Sequence, residues 1–141
     1  MKTPLDPRHQ ARIVAIQKLF ELLYRDKSKS ELTHNEIAKI GEIEKYDTNL
    51  SNQLVNGTLE NLEELDKLIV KYAPERPLDQ MSKVDVQILR LAIYEGFLGQ
   101  LTPPKVAVDE AIEIAKEFGG QSAGKFINGV LGNLLEDKKK K

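Results

Sequence analysis

The sequence predicts an all-α protein of about six or seven helices, arranged as two packed helical bundles. Apolar residues recur at spacings of three and four along most of the 141-residue chain, which is the helical period. Ser, Thr and Asp stand where these stretches begin, as the N-caps of helices do. No stretch shows the alternation of apolar and polar residues that is typical of a half-buried strand.

The first helix is predicted to start at Asp6, an N-cap followed by proline at the first helical position. It extends to about Tyr24, and residues 27–30 are polar and predict a loop. One apolar face runs along this helix and is formed by Ile13, Ile16, Phe20 and Leu23.

Two further helices are predicted in the first half of the chain. Thr33 and Glu36 have the spacing of a capping box, and the short helix that they start ends near Gly41. Asp47 starts the longest predicted helix, and Pro74 ends it because proline cannot continue a helix.

A proline-containing joint at residues 75–82 connects the two halves of the chain. Ser82 and Asp85 form another N-terminal signature, and the helix that follows ends at Gly96 and Gly99. The chain is therefore interpreted as one domain over residues 1–141, with helical halves at 1–76 and 77–137 and a disordered lysine tail at 138–141.

The last two helices are predicted from their termini. Thr102 caps the first of them, with Pro103 at its first position, and Gly119 ends it in a left-handed conformation. Ser122 caps the final helix. The apolar stripe of that helix consists of Ile127, Val130, Leu131 and Leu134.

Composition excludes several classes of site. The chain has no cysteine, so disulfides, cysteine-based zinc sites and thiol nucleophiles are ruled out. His9 and His34 have no partner at metal-ligand spacing, and the sequence predicts neither a metal site nor a cofactor. No apolar run approaches the roughly 20 residues of a membrane span, and no signal-peptide pattern is present, so the sequence predicts a cytoplasmic protein.

The net charge of −1 conceals an uneven distribution along the chain. Residues 1–30 carry seven Lys or Arg against three Asp or Glu. Residues 31–110 carry eight against fifteen, and residues 111–141 carry six against four. Basic ends favour contact with phosphate groups, and an acidic middle favours a basic protein partner.

One motif resembles the phosphate-binding loop of nucleotide-hydrolysing enzymes. Gly119, Gly124 and Lys125 have the spacing of G-x-x-x-x-G-K, but Phe126 stands where Ser or Thr is required. The motif also follows a predicted helix rather than a strand. We interpret it as a junction between two helices, and the sequence predicts no catalytic residue and no enzyme.

The final helix contains residues that a helix disfavours. Asn128 and Gly129 are predicted to make a packing contact with another helix or chain, because Gly in a helix costs about 1 kcal/mol relative to Ala. Phe126 lies at the edge of the apolar stripe beside Lys125. An aromatic ring beside a cation can stack on an unpaired base, although packing in the core is an equally good interpretation of Phe126.

Two long motifs resemble the NusB family of bacterial transcription antitermination factors. Residues 104–131 read PKVAVDEAIEIAKEFGGQSAGKFINGVL, similar to the family's P-x-x-V-A-I-N-E-A-[VI]-E-[LI]-A-K-x-[FY]-G followed by K-F-[VI]-N-G-[VI]-L. Residues 88–95 read ILRLAIYE, similar to I-L-R-x-A-x-Y-E. The first half matches more thinly, at Arg12, Ala15, Gln17, Leu19, Phe20, Gly57, Leu65, Asp66 and Ile69.

This resemblance implies a fold of two helical bundles and a role in transcription. Family members bind the single-stranded boxA element of nascent RNA together with NusE, a small-subunit ribosomal protein. The complex joins elongating RNA polymerase and suppresses premature termination, notably on ribosomal RNA operons. The implied RNA-binding residues are Arg8, His9, Arg12, Phe20, Ser122, Lys125 and Phe126. The implied NusE-binding residues are Asp79, Asp85, Tyr94 and Glu95.

The basic N-terminal segment is thin, since Arg8 is followed by His9 and Gln10 where relatives often carry a run of basic residues. Three phosphate contacts, by Arg8, Arg12 and Lys125, would give a salt slope of about −2 in log K against log salt. We therefore expect weak binding of RNA alone and tighter binding with NusE.

Two alternatives share the predicted fold. The first is a protein-only adaptor, or a homodimer that covers its own RNA site. The second is the N-terminal module of a ribosomal RNA methyltransferase. That reading requires a following α/β domain, and the sequence ends in EDKKKK.

Overall fold

The computed structural model describes residues 6–24, 33–43 and 45–140. Across these ranges the protein is entirely helical and contains no strand, which confirms the predicted class. Six α-helices are present in them: α1 (Pro7–Tyr24), α2 (His34–Ile40), α3 (Thr48–Glu60), α4 (Leu62–Tyr72), α5 (Lys83–Ile93) and α6 (Pro104–Lys139). A 3-10 turn at Leu78–Gln80 precedes α5, and a π-helical turn at Tyr94–Leu98 follows it.

The predicted loop at residues 27–30 and the last lysine, Lys141, lie outside the described residues. None of the helices found in the described ranges has both the length and the apolar character needed to cross a membrane.

Four of the predicted helix starts are confirmed by hydrogen bonds. In each case a side-chain oxygen accepts from the backbone N–H of a residue in the first turn, at 2.9 to 3.1 Å. Each such N-cap contributes about 1 kcal/mol, because it satisfies a donor that the helix itself leaves unpaired. The capping residues are Asp6, Thr33, Asp47 and Ser82.

The prediction of one long helix between Asp47 and Pro74 is wrong, because this segment forms two helices that are separated at Asn61. The backbone of Asn61 has φ −126° and ψ 23°, which is not helical. Its side-chain Nδ2 donates a hydrogen bond to the carbonyl oxygen of Gly57 at 2.7 Å. Asn competes with the helix for backbone partners in this way, so the chain ends α3 and begins α4.

Thr102 is not the cap that the sequence predicts. The N-cap position of α6 is Pro103, without a side-chain hydrogen bond, and Pro104 takes the first helical position. Thr102 is buried, and its Oγ1 donates a hydrogen bond to Oε2 of Glu95 at 2.6 Å. The hydroxyl therefore serves a buried carboxylate instead of the helix terminus.

The turn within α6 is at Gly120 rather than at Gly119. Gly120 has φ 78° and ψ −169°, a conformation that is essentially restricted to glycine. It divides α6 into an N-terminal arm, residues 104–119, and a C-terminal arm, residues 121–139. Ser122 consequently lies within the first turn of the C-terminal arm, one residue beyond its start.

Two residues of the tail that is predicted to be disordered, Lys138 and Lys139, are helical, because α6 continues to Lys139. Cations in the last turn of a helix interact favourably with the partial negative charge of the C-terminus. The Nζ of Lys139 also lies 3.8 Å from Oε1 of Glu136, and this ion pair favours the helical conformation of the last turn as well.

The chain divides into two compact units, Met1–Asn56 and Gly57–Lys141. In the first unit, Val14, Ile37 and Ala38 form a small apolar cluster on α1 and α2. In the second unit, α4, α5 and α6 pack against one another. The largest fully buried apolar side chains of that unit are Leu65, Ile69, Ile88, Leu89, Ile93, Ile114, Ile127, Leu131 and Leu134.

This division falls earlier than the predicted boundary at residue 76, since α4 belongs to the second unit. A bidentate ion pair joins α4 to α5 within that unit. Nε and Nη2 of Arg90 each lie 2.8 Å from one carboxylate oxygen of Asp66. A bidentate pair of this kind is stronger than a single hydrogen bond, and it also fixes the relative orientation of the two side chains.

Candidate nucleic-acid interface

A groove of about 400 Å³ lies in the second unit, beside the C-terminal arm of α6. Its walls come from that arm and from the segment that follows α4. The residues that matter for its chemistry are Tyr72, Arg76, Lys125, Phe126, Gly129 and Asn133. The groove therefore lies between residues 125–129, which read KFING, and the segment that connects α4 to α5.

The half-buried ring of Phe126 forms part of this groove and is covered by Arg76. The Cζ atom of the guanidinium lies 4.2 Å from the centroid of the ring. Arg76 is exposed. A cation over an aromatic ring at an exposed site contributes about 0.5 to 1 kcal/mol, so this cover is easily displaced.

Sequence reasoning missed Arg76. The residue lies in an irregular segment next to prolines, where periodicity carries no information about what a side chain contacts. The one available signal was Phe126 itself, an aromatic ring at the edge of an apolar stripe, since such a ring needs a partner for its outer face.

The structure brings Ser122, Lys125 and Phe126 together on the C-terminal arm of α6. Ser122 and Lys125 are exposed, and Phe126 is half-buried. Residues three and four apart are neighbours on a helix surface, so the hydroxyl, the ammonium group and the ring form one continuous strip. This strip offers a hydrogen-bonding group, a cation and an aromatic face.

Hydrogen bonds hold the groove wall in place. Nδ2 of Asn133 donates to the carbonyl oxygen of Tyr72 at 3.4 Å. The hydroxyl of Tyr72 donates to the carboxylate of Asp137. Both contacts connect the end of α4 to α6, so the two walls are fixed relative to each other.

The predicted packing contact of Asn128 and Gly129 with another helix is absent from the described residues, and a contact with another chain stays a prediction. Both residues are exposed. A Cβ atom built on Gly129 would meet nothing within 4 Å. Burial of the final helix is achieved by the neighbouring apolar stripe, and the fold itself does not require glycine at this position.

The predicted RNA-binding residues of the first unit differ in their exposure. Arg8 is exposed, and its Nη1 lies 3.7 Å from Oδ2 of Asp47. His9 and Arg12 are buried, with 5% and 3% of their surfaces exposed, and Phe20 is half-buried. Arg8 is thus the accessible cation of this predicted set.

The predicted partner-binding carboxylates also occupy different environments. Asp79 is exposed in the 3-10 turn before α5. Asp85 is half-buried, and this burial raises its pKa, while the hydrogen bond with Ser82 and the positive charge of Arg76 act in the opposite direction. Glu95 is buried, with 1% exposure. Asp79 and Asp85 are therefore the acidic groups of this set that a partner can reach.

The ring of Tyr94 is held between two glycines of the second unit. A Cβ atom on Gly99 would lie 2.6 Å from Cζ of Tyr94, and a Cβ atom on Gly57 would overlap the ring. Contacts under 3.0 Å are not tolerated by real Cβ atoms, so both glycines are required for the ring to lie where it does. Its position is consequently set by close packing.

Comparisons with known proteins agree with this architecture. The model of the NusB family matches residues 9–136. The transcription antitermination protein NusB of Exiguobacterium is 40% identical over 131 residues, which cover 92% of this chain and 98% of that protein. A solved structure of T. maritima NusB is 34% identical with a TM-score of 0.71, and the match covers 96% of this chain and 93% of that one.

A crystal structure of the antitermination factors NusB and NusE in complex with double-stranded RNA is also similar in fold. Its matching chain has a TM-score of 0.74 at 23% identity, covering 92% of this chain and 96% of that one.

Proposed function

Because the chain belongs to the NusB family, we propose that it is a transcription antitermination factor. It binds single-stranded boxA-type RNA together with NusE, joins elongating RNA polymerase and promotes transcription through ribosomal RNA operons. Its contribution is that of a binding protein and involves no catalysis.

The strongest support for RNA binding is the strip formed by Lys125 and Phe126, with Arg76 over the ring. Stacking of a base on an aromatic side chain contributes about 1 to 3 kcal/mol. This exceeds the contribution of about 0.5 to 1 kcal/mol from the guanidinium that covers the ring. An unpaired base can therefore replace Arg76 on Phe126 at a net gain.

We expect RNA binding by this protein alone to be weak and strongly dependent on NusE. If Arg8, Arg76 and Lys125 each neutralise one phosphate, log K falls with log salt at a slope of about −2, which is a small electrostatic contribution. Fluorescence anisotropy of a labelled boxA RNA should show affinity at least about tenfold higher with NusE than without it.

Equal affinity with and without NusE would contradict this cooperative mechanism. Sedimentation of the free protein provides the companion measurement. A stable dimer that shows no RNA binding under either condition would favour a protein-only adaptor.

We propose that the NusE-binding face includes Asp79 and Asp85, in the acidic middle of the sequence. Charged groups at the rim of an interface act mainly on association and on the choice of partner. Asp79 is exposed, so it can meet a basic group of the partner without prior rearrangement.

Replacing Asp79 with lysine is expected to weaken NusE binding by about tenfold, because it places a like charge opposite a basic partner. Isothermal titration calorimetry against purified NusE measures the change. Glu64→Lys is the matched control, since Glu64 is also exposed, on α4, and lies outside the predicted partner set. If both substitutions weaken binding to the same extent, the effect reflects net charge and the assignment of Asp79 is wrong.

A further inference from the structure

We propose that the groove beside Phe126 receives one unpaired nucleobase, that Gly129 keeps the groove open, and that Arg76 covers the ring until RNA binds. This inference rests on the proposed function and adds two residues to it, Arg76 and Gly129. It also identifies the ligand of this particular groove as a single base with its adjoining phosphate.

The first observation concerns Gly129, whose presence the fold does not explain. Gly124, in the same arm, is buried, and a Cβ atom there would lie 2.7 Å from Cγ of Lys116, so the Lys116 side chain would have to move. A Cβ atom on Gly129 would meet nothing within 4 Å. Glycine weakens a helix interior, so alanine would serve the helix better at this position.

The location of Gly129 supplies the missing reason. The residue lines the groove together with Phe126 and Asn133. Any side chain at position 129 would extend from the helix surface into space that is now open. Glycine at this position therefore preserves the volume of the groove and the approach to the Phe126 ring.

The second observation is the chemistry of the groove, which matches a nucleotide. Phe126 provides a face for stacking, and Lys125 and Arg76 provide positive charge for a phosphate. The side chain of Asn133 can hydrogen-bond to the edge of a base. A volume of about 400 Å³ lies within the range of small-ligand pockets, about 300 to 1,000 Å³, and accommodates one base.

The position of Arg76 indicates how the base enters. The guanidinium lies 4.2 Å from the centroid of the Phe126 ring. A base inserted between the two groups would need about 7 Å, which is two van der Waals separations of about 3.5 Å. The base must therefore displace Arg76, and the released guanidinium is then available to pair with the adjoining phosphate.

The test compares two leucine substitutions at adjacent exposed positions. Gly129→Leu fills the groove, and Asn128→Leu places the same side chain outside it. Affinity is measured by fluorescence anisotropy with labelled boxA RNA and saturating NusE. We expect Gly129→Leu to weaken binding by about tenfold, the loss of one stacked base, and Asn128→Leu to change it by less than about twofold.

Stability separates a blocked groove from a damaged fold. Leucine is a better helix former than glycine, so Gly129→Leu is expected to unfold at the same urea concentration as the wild type or at a higher one. Lower RNA affinity combined with equal or greater stability is a result that a purely structural role of Gly129 does not produce.

Arg76→Ala provides an independent measurement. It should make the salt slope of log K shallower by about 0.7, the contribution of one phosphate on a single strand. Gly129→Leu should make the slope shallower by up to the same amount, because a base that cannot enter leaves Arg76 on the Phe126 ring and away from the phosphate. An unchanged slope in Arg76→Ala would overturn the phosphate role of Arg76.

Failure of this inference is distinguishable from failure of the proposed function. If the wild type binds RNA with NusE and Gly129→Leu binds equally tightly, the groove does not receive a base. Equal losses from Gly129→Leu and Asn128→Leu would overturn the groove assignment as well. If the wild type binds no RNA even with NusE, both the proposed function and this inference are wrong.

Discussion

Replacing Gly57 with alanine is expected to lower the free energy of unfolding by about 1 to 3 kcal/mol, the usual cost of overpacking. In the interior of an ordinary helix the same substitution raises it by about 0.5 to 1 kcal/mol. The sign is reversed here because the new methyl group would overlap the ring of Tyr94. The ring is also closely packed against Gly99, where a Cβ atom would lie 2.6 Å from Cζ of Tyr94.

Urea unfolding followed by circular dichroism measures this effect, and Tyr94→Leu provides the matched background. Without the aromatic ring, Gly57→Ala should become neutral or stabilising, so the double-mutant cycle should give a coupling of about 1 to 3 kcal/mol. If Gly57→Ala destabilises both backgrounds equally, close packing against Tyr94 is not the cause.

The result also bears on the NusE surface. The family resemblance implies that Tyr94 contacts NusE, and its half-buried ring, packed against two glycines, is oriented before any partner arrives. Preorganisation of this kind reduces the entropy lost on binding. Gly57→Ala should accordingly weaken NusE binding in proportion to the displacement of the ring.

Helix starts were predictable from the sequence because capping is a local interaction. The caps at Asp6, Thr33, Asp47 and Ser82 each involve a side chain and a backbone N–H no more than three residues apart. Thr102 has the same local signature and fails. Its hydroxyl has a stronger partner in the buried carboxylate of Glu95, and only tertiary structure reveals that partner.

Helix interruptions were harder to place. Gly119 and Gly120 are adjacent and equally able to adopt a positive φ, so composition alone cannot decide which of them does. Asn61 ends a helix with a side-chain hydrogen bond to the carbonyl oxygen of Gly57, a bond that is open to any asparagine in a helix and therefore does not mark a helix end in the sequence. Both errors concern small free-energy differences between neighbouring conformations.

The sequence predicted the chemical groups of the candidate site but not the residue that covers the Phe126 ring. Lys125 and Phe126 followed from an aromatic ring beside a cation at the edge of an apolar stripe, and from the family motif. Arg76 lies far from them in the sequence and joins them through packing of α4 against α6. Burial of His9 and Arg12 is equally a tertiary property, since both lie in a segment that reads as basic and exposed.

Gly120→Ala is expected to lower the free energy of unfolding by about 1 to 3 kcal/mol through backbone conformation alone. At φ 78° and ψ −169° the backbone is in a region that residues with a Cβ atom avoid. A clash is not involved, because a Cβ atom at this exposed position would meet nothing within 4 Å. The substitution therefore measures the strain of the turn between the two arms of α6.

Gly129→Ala is the control that isolates this cause. Both glycines are exposed, both lie in α6, and neither Cβ atom would meet a neighbour within 4 Å. They differ in backbone conformation, since Gly120 is the residue of α6 with non-helical angles. Urea unfolding should therefore show opposite signs, with Gly129→Ala raising the free energy of unfolding by about 0.5 to 1 kcal/mol. Equal changes at the two positions would mean that helix propensity alone governs α6 and that the turn at Gly120 carries no strain.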